Sequence, residues 1–178
     1  MSPLRLLVLA AAFLPGAAMA QSSSSPVLDA LRRQTEHAER DLVAAAQSMP
    51  ADKFGFKPTP AQMSFGELVL HVAGANDFMC STISGVKAPD EPKLKPTAAK
   101  AELISRVRRS FQFCTSAFAK LTDQNLGETV PFFGGRTISR AGAVLDLAAD
   151  WADHYGASAI YLRLNGILPP TAKKGSGE

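Results

Sequence analysis

An all-α fold, a four-helix bundle, is what the sequence predicts, and three observations carry the prediction. Apolar residues recur at helical spacing in four long segments. Helix start and stop signals bracket those segments. Only one short stretch, Val130 to Ile138, reads as anything other than helix or loop.

The chain opens with a short basic start at Arg5, an apolar run from Leu6 to Leu14, a Pro15-Gly16 break and Ala18-Met19-Ala20. That order predicts a cleavable signal peptide over residues 1–20. The apolar run is far short of the roughly 20 residues that span a bilayer, so no membrane anchor is expected after cleavage. A periplasmic or secreted protein is the expectation. Residues 21–25, Gln-Ser-Ser-Ser-Ser, are a polar lead into the domain.

Pro26 suits the first turn of a helix, and Leu28, Leu31, Ala38, Leu42 and Ala45 carry the first helix to about Gln47, where Met49-Pro50 stops it. Phe54 to Pro60 reads as an extended connection stiffened by proline. Ser64 and Glu67 form a capping box that opens helix two, with Phe65, Leu68, Val72, Ala75 and Met79 on one face and Gly85 at its end. Lys87 to Pro96 is a charged, proline-rich surface loop. Thr97 is placed to cap helix three, which runs to about Leu121 through Leu103, Val107, Phe111, Cys114 and Phe118. After the Phe132-Phe133-Gly134-Gly135-Arg136-Thr137 hairpin or irregular turn, helix four runs from about Ser139 to Leu164 and ends near Asn165-Gly166. One helical domain over residues 26–170 follows, with a small polar tail, 171–178, expected to be disordered.

The net charge of +3 is spread along the chain without a long basic run, so a nucleic-acid partner is not expected. The two cysteines, Cys80 and Cys114, form an even pair in a chain expected to be exported, which makes them a candidate disulfide; two buried thiols or a reactive cysteine are the rival readings.

Three histidines are available for chemistry. His37 lies on the polar side of helix one and should face water. His71 sits at the edge of the apolar stripe of helix two, a half-buried position. In helix four Asp146, Asp150 and His154 line one flank of a core face made of Val144, Leu147, Ala148, Trp151, Tyr155 and Leu162. An Asp and a His four residues apart project side by side and can grip one ion, although such pairs are common on helix surfaces with no chemical role.

Ser64-Phe65-Gly66-Glu67-Leu68-Val69-Leu70-His71-Val72-Ala73-Gly74-Ala75-Asn76, Asp153-His154-Tyr155-Gly156 and Tyr161-Leu162-Arg163-Leu164-Asn165-Gly166-Ile167 together resemble the DinB-like proteins. Phe56-Lys57-Pro58-Thr59-Pro60 is similar to a connection in exported members. The resemblance covers nearly the whole domain. It implies a bundle of the DinB-like type holding a divalent cation through one His on helix two and two His four residues apart on the last helix. Those positions are His71, Asp150 and His154 here, so a carboxylate stands where relatives have the first His of the pair. Carboxylate oxygen can replace imidazole at zinc, nickel or manganese. Ala157 is a second departure, where many relatives have Gln.

Two functions follow. One is an exported metal-dependent hydrolase or thiol-dependent transferase acting on a small-molecule substrate. The other is a non-catalytic bundle that binds a ligand or protein and keeps a vestigial metal pocket. A homodimer is compatible with either.

Overall fold

The computed structural model describes residues 25–174; the predicted signal peptide, most of the polar lead and the last four residues lie outside them. Four long helices form the fold: α1 Pro26–Ser48, α2 Phe65–Ser84, α3 Lys100–Phe118 and α4 Arg140–Leu164. Strands β1 Thr129–Pro131 and β2 Thr137–Ser139 pair antiparallel between α3 and α4, with Val130 opposite Ile138. A short α5, Pro170–Lys174, follows α4.

Local chemistry sets most boundaries. Ser64 Oγ accepts from the Glu67 N–H at 3.2 Å while the Glu67 carboxylate accepts from the Ser64 N–H at 2.5 Å, which completes the capping box of α2. Gly85 ends that helix at φ 75°, a left-handed conformation that favours glycine. Ser139 Oγ caps α4 through the Gly142 N–H at 3.1 Å. The start of α1 is capped from a distance, because the Asp123 carboxylate accepts from both the Val27 and Leu28 N–H groups at 3.0 Å. A carboxylate there also opposes the positive end of the helix dipole.

Three local expectations change. Thr97 falls in a turn before the third helix, and α3 starts at Lys100 with the Glu102 carboxylate accepting from the Ala99 N–H at 3.1 Å. Phe54 closes a single 3-10 turn, Ala51–Lys53, instead of running extended, because this turn tucks its ring into the core against Phe65 at 5.2 Å. The expected disorder of the tail does not begin at residue 171. Tyr155 Oη accepts from the Thr171 N–H at 3.1 Å and lies 2.8 Å from its hydroxyl, which ties the first turn of α5 to α4.

The helices run α1, α3, α2, α4 around the bundle, since α3 and α4 each pack on both α1 and α2. Consecutive helices α1 and α2 therefore sit diagonally, and so do α3 and α4. Crossing connections produce this order, unlike a simple up-and-down bundle. The core they enclose contains Phe65, Phe111, Phe118, Leu103, Leu147, Leu162 and Trp151, all essentially excluded from water. Burying each such side chain contributes about 1.5 to 3 kcal/mol before the entropy cost of ordering the chain.

Cys80 on α2 and Cys114 on α3 are joined by a disulfide between Cα atoms 5.2 Å apart, deep in the core. No helix among the described residues is long and apolar enough to cross a membrane.

Candidate metal centre

The bundle order places α2 beside α4, and that adjacency brings distant residues together. His71, six residues after the start of α2, faces Asp150 and His154, which project from one side of α4 a turn apart. One potential ligand atom from each lies within 4.8 Å of the other two. His154 Nε2 is 3.2 Å from Asp150 Oδ1, and the His71 and His154 rings meet edge to face with centroids 4.8 Å apart.

Burial grades the three. His71 is exposed, a correction to the half-buried position read from its helical phase: it lies at the margin of the α2–α4 contact, and α4 does not cover it. Asp150 and His154 are half-buried. Their polar atoms Asp150 Oδ2 and His154 Nε2 are shielded from solvent and have no hydrogen-bond partner, because the close approach of Nε2 to Oδ1 is off the line that such a bond requires.

A buried carboxylate oxygen and imidazole nitrogen left unsatisfied side by side are costly unless a cation or a proton serves both. A metal ion would satisfy them. Ligand atoms bonded to a tetrahedral zinc at 2.0 to 2.2 Å lie about 3.3 to 3.6 Å from one another. The Asp150 to His154 separation is already close to that range, and the donor of the exposed His71 lies within 4.8 Å of both. Without an ion, the Asp150 carboxylate raises the pKa of His154, first through its close approach to Nε2 and then as a charge, with Asp153 adding to the effect and burial opposing it.

The other two sequence candidates lie elsewhere. His37 is exposed on α1, with Nδ1 2.8 Å from the Arg40 guanidinium. Asp146 is exposed one turn before Asp150 and is not part of the cluster. Ala157 packs against the core and offers the site no polar group.

Sequence reading missed two supports of the site. Asn76 is fully buried on α2; its Oδ1 accepts from the Trp151 indole N–H at 2.7 Å and its Nδ2 donates to Ser110 Oγ at 3.0 Å. A polar residue within the apolar stripe of α2 was the available signal. The second is the packing of the Phe132-Phe133 turn: the sequence reads it as a hairpin or irregular turn, but not that its rings pack beside α2.

A family model described as the DinB superfamily matches residues 34–157. None of the curated proteins compared matches the chain. Among solved structures, a DinB-like protein from Bacillus subtilis is 18% identical with a TM-score of 0.63, over 77% of this chain and 92% of that one. A DinB-like protein from Bacillus cereus is also 18% identical at a TM-score of 0.63, over 81% and 93%. A conserved protein from Enterococcus faecalis is 15% identical at 0.63, over 78% and 96%. These neighbours share the fold of the bundle, and the matched residues include every member of the His71, Asp150, His154 cluster. The chain belongs to the DinB superfamily.

Proposed function

We propose that this protein binds one divalent cation through His71, Asp150 and His154 and uses it as a hydrolase or transferase of small molecules outside the cytoplasm. The observation that carries the reading is the pair of unsatisfied, solvent-shielded donors, Asp150 Oδ2 and His154 Nε2, beside a third donor on another helix. Two imidazoles and a carboxylate suit zinc, nickel or manganese, and replacing an imidazole by Asp150 shifts the preference toward a harder ion.

Three protein ligands leave positions open, and a bound divalent ion supplies Lewis-acid polarisation and a lowered pKa for a coordinated water or thiol. The chain's own residues do the rest. Asp150 neutralises part of the ion's charge and is fixed on α4 beside the buried Trp151. His154 must give up its proton to bind. The exposed His71 closes the site from α2 and leaves its outer side open to a small molecule. Location outside the cytoplasm is supported by the disulfide, because such bonds persist in oxidising compartments.

Cobalt(II) loaded into chelator-stripped protein tests the reading. A four- or five-coordinate absorption spectrum that changes on adding azide is expected. A spectrum indifferent to azide, or no cobalt uptake, favours the non-catalytic bundle, to which the apolar Ala157 also points.

A further inference from the structure

Two phenylalanines on the surface beside the metal cluster are more exposed than rings of their size need to be. Phe78 of α2 and Phe133 of the β1–β2 loop are 40% and 48% exposed, yet they stack on each other with centroids 4.3 Å apart and planes 31° from parallel. Phe132, buried beneath, meets Phe133 edge to face at 4.8 Å. The loop that holds them turns on Gly134 and Gly135, at φ 68° and 72°, a left-handed pair that a β-carbon would strain. Rings held this firmly but left half uncovered form a shelf for an apolar ligand.

The shelf opens onto a groove of about 360 Å³ whose apolar wall is Met79, Phe132, Phe133 and Ala149. Its polar wall is Asp146, Asp150 and Asp153 of α4; no Lys or Arg is among the described residues that line it, and Arg136 lies over the Phe132 ring at 5.8 Å with its Nε donating to the Phe133 carbonyl. Asp150 belongs to both groove and metal cluster, so the two are continuous. Along α2, Phe78 lies seven residues beyond His71 on the same side, a separation of about 10 Å. A ligand one ring and a short chain long would span from shelf to ion.

We infer that this groove is the substrate-recognition site of the metal centre and selects small molecules carrying an aromatic or aliphatic group together with a positively charged amine. The apolar group lies on Phe133 and Phe78. The amine faces Asp146 and Asp153, whose charges remain when an ion offsets that of Asp150, and an anionic tail there is repelled. This assignment rests on the metal-centre reading for the word substrate, but the groove's own selectivity does not need the ion.

The test therefore uses chelator-stripped and zinc-loaded full-length protein, followed by amide chemical shifts during titration with 2-phenylethylammonium and, separately, 3-phenylpropionate. In both forms the amine should shift residues around Phe133, Ala149 and Asp153, and in the stripped form, where no ion is present for the carboxylate to ligate, it should bind about tenfold more tightly than the acid at low salt. Phe133→Ala, at an exposed position, should weaken the amine about fivefold. Asp146→Asn with Asp153→Asn should bring amine and acid to within about threefold. Equal or tighter binding of the acid to the stripped wild-type protein, or shifts that map away from the groove, overturns the proposal. Amine binding with no zinc uptake supports the groove and sinks the metal reading; zinc uptake with no amine binding does the reverse.

Discussion

The indole N–H of Trp151 donates to the side-chain oxygen of Asn76 at 2.7 Å, and both residues are sealed from water. The Asn76 amide passes the connection to Ser110 Oγ, whose hydroxyl donates to the Val107 carbonyl at 2.7 Å. One buried chain thus joins α4, α2 and α3 next to Asp150. Asn76→Ala strands the indole N–H in the core and removes the amide that donates to Ser110 Oγ, and should cost about 2 to 4 kcal/mol in urea unfolding. Trp151→Phe leaves the Asn76 oxygen unpaired and should cost about 1 to 3 kcal/mol. Unfolding midpoints unchanged in both variants would show that the network contributes nothing.

The disulfide closes a loop of 34 residues between neighbouring helices. In the chain-entropy model its loss should lower stability by about 3 to 4 kcal/mol. Intact mass of protein purified without reductant, before and after reduction, shows whether the bond forms. Equal unfolding midpoints of reduced and oxidised protein would contradict the structural role, and two free thiols in protein purified without reductant would remove the bond.

Two glycines of α2 should respond in opposite ways to alanine. At Gly66 a β-carbon would overlap the Pro96 carbonyl oxygen, a backbone atom, so α2 or the loop before α3 must move. Gly66→Ala should destabilise by about 1 to 3 kcal/mol. Gly74 has open space around it, and Gly74→Ala should stabilise by up to about 1 kcal/mol through helix propensity. Thermal unfolding of the pair checks the packing of Gly66, and equal shifts would contradict it.

Acid should release the metal at a higher pH than an ordinary histidine would allow. The Asp150 carboxylate raises His154 above the usual 6.5, so protons compete with the ion from above that value downward. Affinity should fall by about tenfold per pH unit for each competing proton below that pKa, with protons released on binding. The metal-free protein has the opposite dependence. Protonated His154 contributes stability that is full below pH 6.5 and is lost as pH rises through its raised folded value. Calorimetric titration in buffers of different ionisation enthalpy measures the released protons, and none released near neutral pH would contradict His154 as a ligand.

What the sequence revealed divides along the range of the interactions. Ser64 with Glu67, Gly85, Ser139 and the glycines of the hairpin act within a few residues, and each is readable from spacing alone. Asp123 capping α1 across most of the chain is not, because nothing near Pro26 announces it. The pairing of Asp150 with His154 was visible as one helical turn, whereas His71 joined them only through resemblance to a family. Periodicity gives each helix its inner face but not its neighbours. The diagonal placement of α1 and α2, which seats α2 against α4, belongs to the crossing connections. The exposure of His71 was misjudged for the same reason, since helical phase cannot tell how far the neighbouring helix extends over a flank.

The central claim is that His71, Asp150 and His154 share one ion, and equilibrium titration of chelator-stripped protein with zinc tests it most directly. One ion should bind per chain. His71→Ala and His154→Ala should weaken binding by about a hundredfold or more, while His37→Ala leaves it unchanged. Asp150→His should preserve or raise the affinity for zinc and nickel. Absence of stoichiometric binding, or equal binding by wild type, His71→Ala and His154→Ala, would contradict the account.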